Sequence, residues 1–135
     1  MNPHGVGLRR EHVTAMRAHV AREAPREACG LVAGRDGWSV HVYPIPNVAA
    51  HPEQRYRMDP TAQWRAFRDM DARGWDLLAI YHSHPCGYPY PSSIDVAEAA
   101  YPVVYLIWAP VGSTWVVRGY RLDGGRVRPV PIRWE

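Results

Sequence analysis

Lysine is absent from this chain of 135 residues, so all sixteen basic side chains are arginines, set against thirteen acidic ones for a formal net charge of +3. The arginines are scattered, as at Arg9, Arg17, Arg26, Arg57, Arg68 and Arg118, and form no run. That distribution gives no nucleic-acid footprint, although single arginines can steer an acidic protein partner. An arginine-only basic set with abundant alanine, proline and glycine also fits a GC-rich genome. Cysteine is scarce, with two in the chain. Cys29 falls in an apolar stretch and reads as a buried thiol. Cys86 reads as a rim thiol, with a disulfide to Cys29 or an opportunistic metal ligand as the alternatives. No apolar run approaches ~18 residues, and the N-terminus has no signal-like core. A cytoplasmic protein with no membrane partner is therefore expected. The length suits one domain over residues 1–135 with its own core.

Periodicity predicts the elements. Leu8 to Glu23 places Leu8, Val13, Met16 and Val20 mostly three or four apart, an amphipathic helix stopped near Pro25. Strands follow from Ala28 to Ala33 and from Trp38 to Tyr43, joined by Gly34-Arg35-Asp36-Gly37, whose Asp-Gly is a hairpin signal. Pro44 to Asp59 is a proline-broken loop long enough to suggest a role in binding. Pro60 to Arg73 is a second helix, with proline suited to its first turn. Leu77 to Tyr81 is an apolar strand running into His82, and Val103 to Trp108 is a second buried strand. Trp115 to Leu122 and Arg126 to Ile132 form a hairpin about Asp123-Gly124-Gly125. Pro129 and Pro131 place the last strand at a sheet edge, since proline cannot donate to a ladder. The order is α/β/α, with no repeat or linker.

Chemistry concentrates after the central strand. His82-Ser83-His84-Pro85 is followed, after Pro85 to Ile94, by Asp95, with Ser92 three positions before the aspartate. Imidazoles at i and i+2 of an extended segment point to one face, so a single ion can take both. A carboxylate on the returning segment would add a third ligand and leave the fourth tetrahedral position for water, the catalytic arrangement for zinc. Pro91 to Ala100 reads as a helix start, where Ser92 or Ser93 can serve simply as the cap. Two other zinc hydrolases fail on length or ligands. A barrel amidohydrolase needs ~250 residues. A zinc deaminase needs a second cysteine that Pro85-Cys86-Gly87-Tyr88-Pro89 does not supply.

A glutamate, then His-Ser-His-Pro, then Ser-x-x-Asp resembles the JAMM (MPN+) zinc metalloproteases. The likeness begins at Pro25-Arg26-Glu27-Ala28-Cys29-Gly30-Leu31, continues through Tyr56-Arg57-Met58-Asp59-Pro60, and keeps the histidine-to-aspartate spacing without insertion. It implies a single-domain, cytidine-deaminase-like α/β/α sandwich with a mixed sheet flanked by helices. It also implies one zinc held by His82, His84 and Asp95, with Glu27 as general base and Ser92 holding the oxyanion. In that scheme an acidified water gives its proton to Glu27 and attacks an amide carbonyl, and Glu27 returns the proton to the leaving amine.

The chain lacks the long insertions of eukaryotic members and looks closer to bacterial and archaeal stand-alone members of the Mec type. That implies cleavage after the Gly-Gly-like tail of a ubiquitin-like, β-grasp sulfur-carrier protein, with Tyr88 and Tyr90 as candidate substrate contacts. A zinc amidase acting on small peptides or metabolites is the alternative. A non-catalytic MPN scaffold would lack a ligand or the glutamate, and Glu27, His82, His84, Ser92 and Asp95 are all present.

Overall fold

Two of the sheet's three hairpins turn on a pair of left-handed residues. Asp36 and Gly37 both take positive φ (54° and 82°), as do Gly124 and Gly125 (59° and 80°). Two successive left-handed residues give the type I′ geometry that matches strand twist. The computed structural model describes residues 5–135. Residues 1–4 of the domain expected over 1–135 lie outside them. The elements are β1 (Val6–Leu8), α1 (Arg10–Glu23), β2 (Cys29–Arg35), β3 (Trp38–Ile45), α2 (Pro60–Arg73), β4 (Asp76–Ser83), α3 (Ser93–Glu98), β5 (Val104–Val111), β6 (Thr114–Asp123), β7 (Arg126–Val130) and β8 (Ile132–Trp134).

The eight strands form one mixed sheet in the order β7-β6-β5-β4-β2-β3-β1-β8. β7 and β8 stand at opposite ends of that order yet are separated in the chain by Pro131 alone. Seven strand spacings of ~4.8 Å would put flat edges ~34 Å apart, and one residue spans ~3.5 Å. The sheet therefore curls until Pro131 bridges its two edges. Its carbonyl accepts the Val6 N–H at 3.0 Å, while Gly119 faces Val130 and Val6 faces Ile132 on either side. The segment expected as one strand from Arg126 to Ile132 is thus broken at Pro131, and the strands on either side of it are the two sheet edges. Leu8, expected in the helix, ends β1 instead. That strand has only three residues and pairs in parallel with β3 and β8.

Alternation along the strands builds two apolar layers. On the concave side, Val13, Met16 and Val20 of α1 pack against residues from every strand, including Leu8, Val32, Tyr81, Leu106 and Trp108. On the convex side, Ala66 and Met70 of α2 and Val96 of α3 cover Leu31, Ile80, Tyr105 and Ile107. The result is helices on both faces of a mixed sheet. α2 starts where Asp59 accepts the Ala62 N–H at 2.9 Å and ends at Gly74, left-handed at φ 71°.

The concave layer is closely packed at Gly30, which pairs with Tyr81 on the neighbouring strand. A Cβ there would penetrate the Tyr81 ring, which is fully buried and hydrogen-bonded through its hydroxyl to His19 Nδ1 at 2.7 Å. Overpacking of this kind costs about 1–3 kcal/mol. Gly30→Ala is expected to lower the unfolding free energy by that amount in urea titration. An unchanged midpoint would show that the Tyr81 ring can move aside.

Candidate metal centre

β4 delivers His82 to the convex face, because Tyr81 before it points into the concave layer and strand side chains alternate. His84 lies one residue past β4 but stays extended, its N–H donating to the Trp108 carbonyl at 2.7 Å. α3 brings back the carboxylate. Ser92 caps it, with Ser92 Oγ accepting the Asp95 N–H at 3.1 Å while Asp95 Oδ2 accepts the Ser92 N–H at 2.9 Å. This reciprocal capping box aims Asp95 Oδ2 at the histidines, 3.1 Å from His82 Nε2 and 3.0 Å from His84 Nε2. The two Nε2 atoms are 3.0 Å apart.

Such a triangle suits a cation. The His84 Nδ1–H donates to the Tyr88 carbonyl at 2.8 Å, so in the neutral ring Nε2 carries a lone pair. That lone pair meets a carboxylate oxygen and a second imidazole nitrogen, and one proton cannot serve all three contacts. Zinc bonds of ~2.0–2.1 Å in a tetrahedron place neighbouring ligand atoms ~3.3 Å apart, close to the spacing here. Burial pushes the Asp95 carboxyl upward, but hydrogen bonds from His82 and His84 outweigh it and hold the group well below the usual carboxylate range. Burial lowers the basicity of His82. Burial lowers His84, but its hydrogen bonds to Asp95 and Tyr88, together with the charges of Asp95 and Glu27, raise it overall. The donor set of two imidazoles and one anionic carboxylate is that of a catalytic zinc site.

Glu27 approaches from the segment just before β2. The Ala28 N–H donates to Ser83 Oγ at 2.8 Å and the Ser83 N–H to the Ala28 carbonyl at 3.1 Å, tying the segment beside Glu27 to the end of β4. A Glu27 carboxylate oxygen lies within 4.8 Å of ligand atoms of both histidines. The side chain is buried, and Oε1 has no hydrogen-bond partner. Burial chiefly, opposed by His84 and assisted by Asp95, pushes its carboxyl up to about 7.

All five expected site residues therefore come together. Two neighbours were not among the expected site residues, although Tyr56 lies in the Tyr56-to-Pro60 segment of the resemblance. Tyr56 stacks on the His82 ring, with centroids 4.6 Å apart and planes at 29°. Asn47 hydrogen-bonds the Glu27 carbonyl at 2.9 Å. A groove of about 300 Å³ beside Asp95 is lined by Tyr56, Met58, Gln63, Ile94, Glu98 and Tyr101. Tyr88 and Tyr90 are exposed on the loop between His84 and Asp95. Both cysteines are free, Cys29 buried and Cys86 exposed. Burial, with Glu27 next in effect, pushes the Cys29 thiol up to about 12. No helix among the described residues is long and apolar enough to cross a membrane.

Residues 9–123 match the family of prokaryotic homologs of the JAB domain, Prok-JAB. The chain belongs to this family. It is 44% identical over 110 residues to a probable TtuB-protein conjugate cleaving protease of Thermus thermophilus, covering 82% of this chain and 71% of that one. It is 33% identical over 128 residues to a CysO-cysteine peptidase of Mycobacterium bovis, covering 93% of this chain and 88% of the other. Among solved structures, a protein from Desulfitobacterium hafniense superposes with a TM-score of 0.86 at 34% identity, over 96% of this chain and 92% of that one. A JAB1/MPN domain protein from Archaeoglobus fulgidus shares the fold with a TM-score of 0.67 at 14% identity, over 97% of this chain and 98% of that one. This Prok-JAB protein is a hydrolase of the JAMM type, a class that implies zinc.

Proposed function

We propose that this Prok-JAB protein cleaves the peptide or isopeptide bond that follows the Gly-Gly-like tail of a small ubiquitin-like sulfur-carrier protein. In this reading residues 1–135 act as one catalytic domain, and His82, His84 and Asp95 hold one zinc per chain. The observation that carries it is the convergence of two imidazole nitrogens and Asp95 Oδ2 within 3.0–3.1 Å of one another, beside a buried glutamate. The relatives named for conjugate cleavage and for a CysO-cysteine bond support the substrate class.

Bound there, zinc supplies Lewis acidity and an acidified water. Glu27 is placed to accept a proton from an attacking water and would hand it to the leaving amine. In the metal-free chain burial chiefly raises its proton affinity, which marks Glu27 as a carboxyl held in an apolar pocket next to the histidines. Ser92 spends an oxygen lone pair on the Asp95 N–H, which leaves its own proton free to donate to the oxyanion of the scissile carbonyl. Tyr56, stacked on His82, keeps solvent from that side of the ring.

The test is incubation of the zinc-loaded protein with a β-grasp sulfur-carrier protein ending in Gly-Gly-Cys, read by mass spectrometry beside elemental analysis. A carrier shortened by its terminal cysteine, with one zinc per chain, is the expected result. Cleavage of a free glycyl-cysteine dipeptide with the carrier left intact would move the assignment to a small-molecule amidase.

A further inference from the structure

We infer that Asn47 is a positioning residue that fixes Glu27 and Tyr56 together against the histidine pair. This rests on the reading of Glu27 as the proton-transferring group. Both polar backbone groups of Glu27 are bonded to the loop between β3 and α2. Its N–H donates to the Pro52 carbonyl at 2.7 Å, and its carbonyl accepts from Asn47 Nδ2 at 2.9 Å. The loop that holds the glutamate is in turn closed by the same asparagine. Asn47 Nδ2 also donates to the Arg55 carbonyl at 3.1 Å, and Asn47 Oδ1 accepts the N–H groups of Ala49 and Arg57, each at 3.0 Å.

An asparagine side chain offers two N–H donors and an oxygen with two lone pairs, and all four are engaged here. The geometry is specific to the site. Arg55 and Arg57 flank Tyr56, so Asn47 grips the chain on both sides of the residue whose ring stacks on His82. One side chain thereby sets two distances, that of the Glu27 backbone from the loop and that of the Tyr56 ring from a metal-site histidine. The Glu27 carboxylate has no hydrogen bond at Oε1 to orient it, so its position depends on this backbone anchorage. A misplacement of about 1 Å in such a group costs on the order of 100-fold in rate.

Asn47→Asp separates the two halves of the device. The remaining oxygen can still accept from Ala49 and Arg57, while the donors to the Glu27 and Arg55 carbonyls are gone. Two readouts are needed, one independent of turnover. In the zinc-loaded protein, amide hydrogen exchange followed by NMR is expected to show the Glu27 N–H losing protection by roughly tenfold while core amides such as that of Ala79 are unchanged. With the Gly-Gly-Cys carrier as substrate, kcat is expected to fall by roughly 10- to 100-fold with KM and zinc stoichiometry kept. Asn47→Ala, which also loses the acceptor, should reproduce both effects.

An unchanged Glu27 amide, or a general loss of protection, zinc or folding in both variants, would overturn the positioning role. So would a kcat within about twofold of the parent when Glu27→Gln is inactive. If Glu27→Gln itself turns over normally, the reading of Glu27 fails and takes the positioning role with it, a result read from that variant alone and so distinct from a failure confined to the Asn47 variants.

Discussion

Replacing Glu27 by glutamine is expected to reduce carrier cleavage by ~10²–10⁴-fold, the usual contribution of a positioned proton-transfer group, with zinc content and fold retained. Glutamine has nearly the same shape and fits the same buried pocket, but it cannot accept a proton from water and return it to an amine. The loss should fall on kcat, since Glu27 does its work only as the bond breaks. Elemental analysis and steady-state kinetics on the same preparation check it. Near-parental turnover would remove Glu27 from the chemistry.

The same substitution has a stability signature of opposite sign. In the metal-free chain, burial raises Glu27 from the ordinary 4.5 to about 7, with His84 opposing and Asp95 assisting. The folded state thus holds the proton more tightly than the unfolded chain does. Stability from this group is fully present below about pH 4.5 and is lost as the pH rises through about 7. A shift of that size corresponds to roughly 3 kcal/mol. Metal-free Glu27→Gln, which never ionises, should therefore unfold at higher denaturant than the parent above neutrality and show little advantage near pH 4.5. A residue that weakens the empty fold yet is needed for turnover is what a functional carboxylate in an apolar pocket looks like.

What was legible in the sequence was local. His82 and His84 could be placed on one face because a strand alternates with period two, and Asp95 could be placed because a serine three residues before it starts a helix. The elements α2 and β2 to β6 follow from periodicity and turn residues for the same reason. What was not legible was non-local. β1 has three residues, too few to show a period, and exists only because β3 and β8 pair with it. The break at Pro131 is dictated by closure of the curled sheet, although Pro129 and Pro131 did announce an edge. At the site, Asn47 and Tyr56 act through carbonyls and a ring face, which demand no spacing in the sequence. Asn47 was marked only by lying in the loop expected from Pro44 to Asp59. Ser92 is a mixed case: its capping bond is plain in the structure, and its proposed oxyanion role uses the proton that capping leaves over.

Changing Asp95 to asparagine is expected to weaken zinc binding by more than ~100-fold, since even partners outside the ligand set cost 10- to 100-fold and here a ligand itself loses its charge. Asparagine keeps an oxygen that can accept the Ser92 N–H, so the start of α3 is preserved and the loss is not one of helix capping. Asp95→Ala would remove both and cost about 1 kcal/mol more in stability. The comparison matters because the histidines have two carboxylates within reach. Asp95 Oδ2 lies 3.0–3.1 Å from both Nε2 atoms, whereas Glu27 forms a looser group with them, spanning up to 4.8 Å. If Asp95 is the third ligand, Asp95→Asn empties the site and Glu27→Gln leaves it filled. If Glu27 is the ligand, the two results exchange places, and the buried glutamate becomes a metal anchor with no proton to move. Zinc stoichiometry on these two variants, measured before any substrate is added, thus decides which carboxylate holds the ion and which is free to do the chemistry.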